Sequence, residues 1–162
     1  MKLIEYDRRY RQDFIDFNTA WIEDNFGHLE PEDYDTFEHI EDEIKEGAMI
    51  YFAIDEDGTA LATCMAKPME GNTWELCKLG SNKERKHSGS GSMVFEAAMN
   101  WAINHGAGRL FLISNSKLSP ALHIYEKYGF TEVKLADYEY ERGDIAFEKV
   151  IGYRNDKFRT SI

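Results

Sequence analysis

A single α/β domain built on a mixed sheet is what this 162-residue sequence predicts, and three observations predict it. Segments with apolar residues at helical spacing alternate with short strand-like runs. Asp57-Gly58 separates two of those runs as a hairpin turn, so part of the sheet is antiparallel. Leu110-Phe111-Leu112-Ile113 is apolar throughout, the pattern of a strand covered on both faces.

Taken in order, Lys2 to Tyr6 reads as an opening strand. Tyr10, Phe14, Phe17, Trp21 and Ile22 recur at helical spacing from Arg8 to Asn25, and Gly27 ends that helix. Pro31 opens a second helix carrying Tyr34, Phe37, Ile40 and Ile44, closed by Gly47. Met49 to Ile54 and Ala60 to Ala66 form the hairpin, and Trp74 to Leu79 follows the Gly71-Asn72 turn as a third antiparallel strand. Met93, Val94, Ala97, Ala98 and Trp101 share one face of a helix that stops at Gly106. After the buried strand, Ser119-Pro120 starts another helix with a cap and an N1 proline, and Gly129 ends it. Strands near Thr131 to Leu135 and at Ile145 to Ile151 complete the sheet. Residues 1–151 are thus expected to form one domain and 152–162 a polar tail.

Composition narrows the function classes. A hydrophobic content of 43% fits a globular domain with a real core. No apolar run is long enough to span a bilayer, and Met1-Lys2-Leu3-Ile4-Glu5 lacks a signal-peptide core, so a cytoplasmic protein without membrane association is expected. Cys64 and Cys77 stand apart in apolar strands and read as buried free thiols. A net charge of −11 argues against a nucleic-acid partner, which requires a basic surface. His28, His39, His105 and His123 show no metal-ligand spacing, so no metal is expected.

Charge is unevenly spread. Glu23, Asp24, Glu30, Glu32, Asp33, Asp35, Glu38, Glu41, Asp42, Glu43 and Glu46 are opposed within their span only by Lys45, whereas Lys83, Arg85 and Lys86 cluster with His87. The acidic run reads either as a solvated helical face or as a field for a cationic ligand.

Lys86-His87-Ser88-Gly89-Ser90-Gly91-Ser92 lies between a strand and a helix. Small residues there allow close backbone approach, and the first helical N–H groups have no internal partners, so phosphate is the natural guest. Val94 stands where a dinucleotide fingerprint needs a third glycine, and Gly91-Ser92-Met93 where a P-loop needs Gly-Lys-Ser/Thr. A plain Ser/Gly turn is the alternative.

Upstream stands Trp74-Glu75-Leu76-Cys77-Lys78-Leu79-Gly80-Ser81. Downstream, Asn115-Ser116-Lys117-Leu118-Ser119-Pro120 leads to Tyr125-Glu126-Lys127-Tyr128-Gly129-Phe130. With the loop between them, these segments resemble the GCN5-related N-acetyltransferase (GNAT) superfamily, in which a Glu-Leu-x-Lys strand runs into a small-residue loop and a Tyr-x-Lys-x-Gly-Phe helix end follows an Asn turn. The resemblance, tightest from Glu75 to Phe130, implies an acyl-CoA N-acyltransferase fold with a central mixed sheet flanked by helices. It also implies transfer of acetyl from acetyl-CoA to a primary amine. Leu79 and Ser81 would bind the pantetheine arm; Lys86, His87, Ser88, Gly89, Ser90, Gly91 and Ser92 would hold the phosphates; Asn115 would bind the arm or order its turn. Lys86 replaces the commoner Arg/Gln, and His87 and Ser90 replace small or aliphatic residues.

Aminolysis of a thioester sets three demands. An amine with pKa about 10 must shed a proton before it attacks, the oxyanion needs a fixed donor, and the departing thiolate needs a proton. The resemblance assigns the oxyanion donor to a backbone N–H near Leu79 and the general acid to Tyr125; without it, Tyr125 at helical spacing would be ordinary core. Glu75 is the candidate base, acting directly or through water, its rival role being an ion pair with Lys78. The acceptor is a small-molecule or peptide amine, with a cationic one favoured by the acidic run, and a homodimer is the default assembly. A catalytically inactive acyl-CoA sensor is the main alternative, and Tyr125 and Glu75 together favour the enzyme.

Overall fold

The computed structural model describes residues 1–152, which form a seven-stranded sheet with helices on both faces. The strands are β1 Lys2–Glu5, β2 Met49–Ile54, β3 Ala60–Pro68, β4 Thr73–Ser81, β5 Arg109–Ser114, β6 Thr131–Val133 and β7 Ile145–Val150. Between them lie α1 Arg11–Phe26, α2 Pro31–Glu38, α3 Ile40–Lys45, α4 Ser90–Asn104 and α5 Ser119–Lys127. The sheet order is β1-β2-β3-β4-β5-β7-β6; β4 and β5 run parallel and every other neighbouring pair is antiparallel. The expected mixed α/β sheet is therefore the observed architecture.

Each face of the sheet buries its own core. Phe14 and Phe17 of α1, with Phe37 and Ile40, pack on Ile50, Phe52 and Met65. On the opposite face Val94, Phe95, Ala98 and Ala102 of α4 pack with Leu61, Leu76, Leu110 and Leu112, and the cluster extends to Tyr125, Phe130 and Phe147. This two-sided burial explains why β2, β3 and β5 are apolar almost without interruption.

Local chemistry adjusts several expected boundaries. Arg8–Tyr10 form a separate 3-10 turn before α1, because the Asp7 side chain accepts from the Arg9 N–H and sets a tight start. The expected helix from Pro31 to Gly47 breaks at His39, whose backbone leaves helical geometry between α2 and α3. Ser119 is the first residue of α5 and makes no capping bond; Leu118 occupies the cap. The sixth strand stops at Val133, short of Leu135. Most of the expected polar tail, residues 153–162, lies outside the described residues. Among those described, no helix is long and apolar enough to cross a membrane.

Gly80 fixes how closely α1 approaches the sheet. A Cβ there would lie 3.1 Å from Asn18 Oδ1 and 3.3 Å from the Phe17 backbone, so any larger residue would push α1 a few tenths of an ångström away from β4. Asn18, wholly buried, donates to the Phe14 carbonyl at 2.9 Å and accepts from Trp21 Nε1 at 2.8 Å, which orients the indole on the next turn.

Candidate active site

The parallel strands β4 and β5 pair only over Thr73–Glu75 and Arg109–Phe111, then separate. On its other edge β4 carries a bulge. Thr63 faces Gly80 and Met65 faces Cys77, so Lys78 and Leu79 together oppose Cys64 alone. Lys78 takes the strain of that extra residue with φ 55°, the only positive φ outside glycine among the described residues. The bulge breaks the alternation of the strand, and both Cys77 and Lys78 reach the side covered by α1 and α2.

Where β4 and β5 part, a cleft of about 480 Å³ opens. Of the residues singled out in the sequence, Glu75, Leu79, Ser81, Ser90, Gly91, Asn115 and Tyr125 line it. Lys86, His87, Ser88 and Gly89 are exposed and lie outside its lining, as does Ser92, whose hydroxyl accepts from Lys127 Nζ at 3.4 Å. They form a lip around the start of α4. There Gly89 caps the helix with φ 87° and no side-chain bond, leaving the amides of Gly91 and Ser92 without backbone acceptors. Asn82 folds the approach to this lip: its Oδ1 accepts from the Glu84 and Arg85 N–H groups at 2.9 and 3.1 Å.

The expected basic cluster is largely neutralised. Arg85 pairs with Asp55 at 2.9 Å and Asp57 at 2.8 Å, and Lys83 pairs with Asp24, so two of the three cations are held by acids brought in by the fold. The acidic run is neutralised at the cleft too. Asp33, with no exposed side-chain surface, accepts from Arg142 Nη1 and Nη2 at 2.7 and 2.8 Å, from the Glu30 N–H at 2.8 Å and from Lys78 Nζ. Glu30 accepts from the Glu141 and Arg142 N–H groups at 2.7 and 3.2 Å. Burial alone would raise the Asp33 pKa, but the Arg142 and Lys78 cations hold it down to about 2. Lys78 and Arg142 also flank the Tyr140 ring, 5.0 and 4.3 Å from its centroid.

Lys78 is thus committed to Asp33, and the alternative ion pair between Glu75 and Lys78 is not formed. Glu75 is 4% exposed, and burial, followed by the charge of Glu139, pushes it up to about 7. Tyr125 is 7% exposed and packs on Phe95 and Phe147 at centroid separations of 5.4 and 5.5 Å; burial pushes its phenol well above 10. Cys64 beside it is pushed up to about 12 by burial and stays a thiol. Asn115 orders its turn: Oδ1 accepts from the Lys117 N–H at 2.8 Å, and Nδ2 donates to the Arg142 carbonyl at 2.6 Å.

Trp21, Ser114, Tyr140 and Arg142 also line the cleft and carry no motif in the sequence, and Lys78 lines it as the partner of Asp33 rather than of Glu75. Trp21 was read as part of a core stripe, and Arg142 lies in an irregular segment without periodicity. Among the described residues no three His, Cys, Asp or Glu side chains gather as a metal site.

A family model described as the acetyltransferase (GNAT) family matches residues 14–130. The chain is 28% identical over 129 residues to the uncharacterized N-acetyltransferase YobR of Bacillus subtilis (strain 168), covering 77% of this chain and 51% of that protein. It therefore spans about half the length of this curated relative. Its fold is similar to an acetyltransferase of the GNAT family from Staphylococcus aureus Mu50, with a TM-score of 0.82 and 19% identity, over 93% of this chain and 99% of the other. It is also similar to yncA from Salmonella typhimurium, solved with its cofactor acetyl-CoA, with a TM-score of 0.75 and 10% identity over 94% of each chain.

Proposed function

Because the chain belongs to the acetyltransferase (GNAT) family, we propose that it is an N-acetyltransferase moving the acetyl group of acetyl-CoA to a primary amine by direct attack in a ternary complex. One observation carries this reading: the gap between β4 and β5 holds a buried carboxyl, Glu75, and a buried phenol, Tyr125, and opens beside the bare amides that start α4.

The parts divide the work as aminolysis requires. The pantetheine arm enters along Leu79 and Ser81, where β4 lacks a partner on the β5 side, and the phosphates meet the first turn of α4 at Ser90 and Gly91. Lys86 and His87 border the phosphates from the lip. Glu75, held near 7, takes the proton that the acceptor ammonium must lose, directly or through water. A backbone N–H near Leu79, beside the bulge, donates to the oxyanion. Tyr125 gives its proton to the thiolate as the C–S bond breaks.

The acceptor enters from the side of Trp21, Tyr140 and Arg142. There Glu75 is the acid in the lining, while Glu30 and Asp33 are matched by Arg142 and Lys78. A cationic amine is thus selected by Glu75 at short range rather than drawn in by the acidic run.

Calorimetry with acetyl-CoA, followed by thiol release across a panel of primary amines, tests the proposal. Tight binding with amine-dependent thiol release is the expected result. Binding without thiol release from any amine supports the sensor instead, and absence of binding overturns both.

A further inference from the structure

Lys67 of β3 and Glu75 of β4 stand directly opposite each other in the antiparallel ladder, two residues along from the Met65–Cys77 pair. Residues so opposed share one face of the sheet with their Cβ atoms about 5 Å apart, close enough for a lysine to pair with a glutamate. Met65 and Cys77 identify the face as the one covered by α1, α2 and α3. Yet the pair is not made. Lys67 Nζ lies 3.4 Å from Glu43 Oε2 of α3 instead, and Glu75 has no ion-pair partner among the described residues.

Burial and anchoring explain the choice. The Glu43 and Lys67 side chains are 28% and 29% exposed and keep part of their hydration, whereas a Glu75 carboxylate, in a residue 4% exposed, would lose nearly all of it. The fold also fixes Glu43 in place: Ile40 at the start of α3 is fully buried, and the Glu43 carbonyl accepts from the Ala48 N–H at 3.0 Å. The other groups facing Glu75 are committed or neutral. Lys78 is tied to Asp33, which Arg142 also grips, and Glu139, ahead of β7, adds like charge. Burial keeps the Cys77 thiol and the Tyr140 phenol protonated. Lys67 is therefore the cation whose choice of partner governs Glu75. Paired with Lys67, the Glu75 carboxylate would be a weaker base with its oxygens occupied; with that cation removed, burial and Glu139 would hold it protonated. Proton removal at neutral pH needs the state between these two.

We propose that Glu43 is a positioning residue for the base: by holding the Lys67 ammonium, it keeps the Glu75 carboxyl unpaired in the cleft and open to the acceptor; this rests on the acetyl-transfer reading above. Glu75 then takes one proton from the acceptor ammonium, and the lone pair so freed attacks the thioester carbonyl. Glu43 and Lys67 touch neither substrate nor cofactor and act only through Glu75.

A double-mutant cycle of Glu43→Gln and Lys67→Met tests this, read first by carbon-13 NMR titration of the Glu75 carboxyl, whose signal is assigned by its loss in Glu75→Gln. Glu43→Gln releases Lys67 to Glu75 and should lower the Glu75 midpoint by at least about one pH unit, the effect of a newly adjacent opposite charge. Lys67→Met should raise it. In the Lys67→Met background, Glu43→Gln removes only a like charge and should lower the midpoint by less than about half as much. Thiol release from acetyl-CoA with n-butylamine as probe should follow the same pattern. The acid limb of kcat/KM should move down in Glu43→Gln and up in Lys67→Met, and kcat at pH 8 in Glu43→Gln should fall at least ~3-fold, with KM for acetyl-CoA within about twofold. Equal shifts of Glu75 with and without Lys67, or no shift at all, overturn the role of Glu43 and leave acetyl transfer in place. A parent protein that releases no thiol with n-butylamine or any other amine of the panel overturns the acetyl-transfer reading, and the role of Glu43 with it, whatever the titration gives.

Discussion

Glu75 and Tyr125 are both driven toward their neutral forms by burial, and for aminolysis this has opposite consequences. A carboxyl near 7 is a serviceable base at neutral pH, whereas a phenol above its usual 10 holds its proton firmly until the thiolate appears. Tyr125→Phe preserves the ring packing, so turnover should fall ~10²-fold with acetyl-CoA affinity nearly unchanged, as single-turnover kinetics and calorimetry will show. Glu75→Gln should abolish the rise of kcat/KM through pH about 7, leaving the amine's own ionisation as the remaining limb. Stability gives an independent check. The folded protein holds the Glu75 proton up to about 7 and the unfolded chain only to about 4.3, so this residue lowers stability as pH rises across that window; the glutamine variant should lose that slope. These two residues were legible because each sits in a short motif of fixed spelling. Trp21 and Arg142 were not, since what marks them is a partner that only the folded chain reveals.

At the scale of elements, Asp33 of α2, Lys78 of β4 and Arg142 of the segment before β7 join three parts of the chain that are far apart in sequence. Removing one partner of a buried ion group leaves charge uncompensated, so Asp33→Asn should cost about 3 kcal/mol in urea denaturation at pH 7. The folded pKa near 2 lies below the unfolded value of about 3.9, so the Asp33 contribution is complete above pH 4 and is lost as pH falls toward 2. The variant should therefore show a shallower acid limb. At the start of α4, a Cβ on Gly91 would stand 3.4 Å from Ile124, in the lining of the cleft. Gly91→Val should weaken acetyl-CoA binding at least tenfold by calorimetry while the circular dichroism stays that of the parent. Strands and helices were legible from periodicity, because burial on one or two faces writes itself into spacing. The break at His39 and the bulge at Lys78 were not, because both depend on what packs against them.

Over the whole molecule, a net charge of −11 is arranged so that Asp24, Glu30 and Asp33, the members of the acidic run nearest the cleft, are already matched, while Glu75 is left without an ion pair. The preference between matched cationic and anionic amines should accordingly change less than about threefold in kcat/KM from low to high ionic strength, since short-range contacts are screened far less than long-range steering. Composition revealed the total charge but not its partners, which is why a run of eleven acids looked like a field and proved in part to be a set of ties. The early parting of β4 and β5 has a mechanical consequence. Only three residue pairs stitch the leaf β1–β4 to the leaf β5–β7, so the sheet is two panels with a short spine. The facing backbone edges beyond Glu75 and Phe111 are unfinished ladders in the middle of a sheet rather than at its rim. A ligand whose own amides lie between them acts as a removable strand, so binding should lend rigidity to both panels at once, and amides on both sides of the gap should gain protection against hydrogen exchange together.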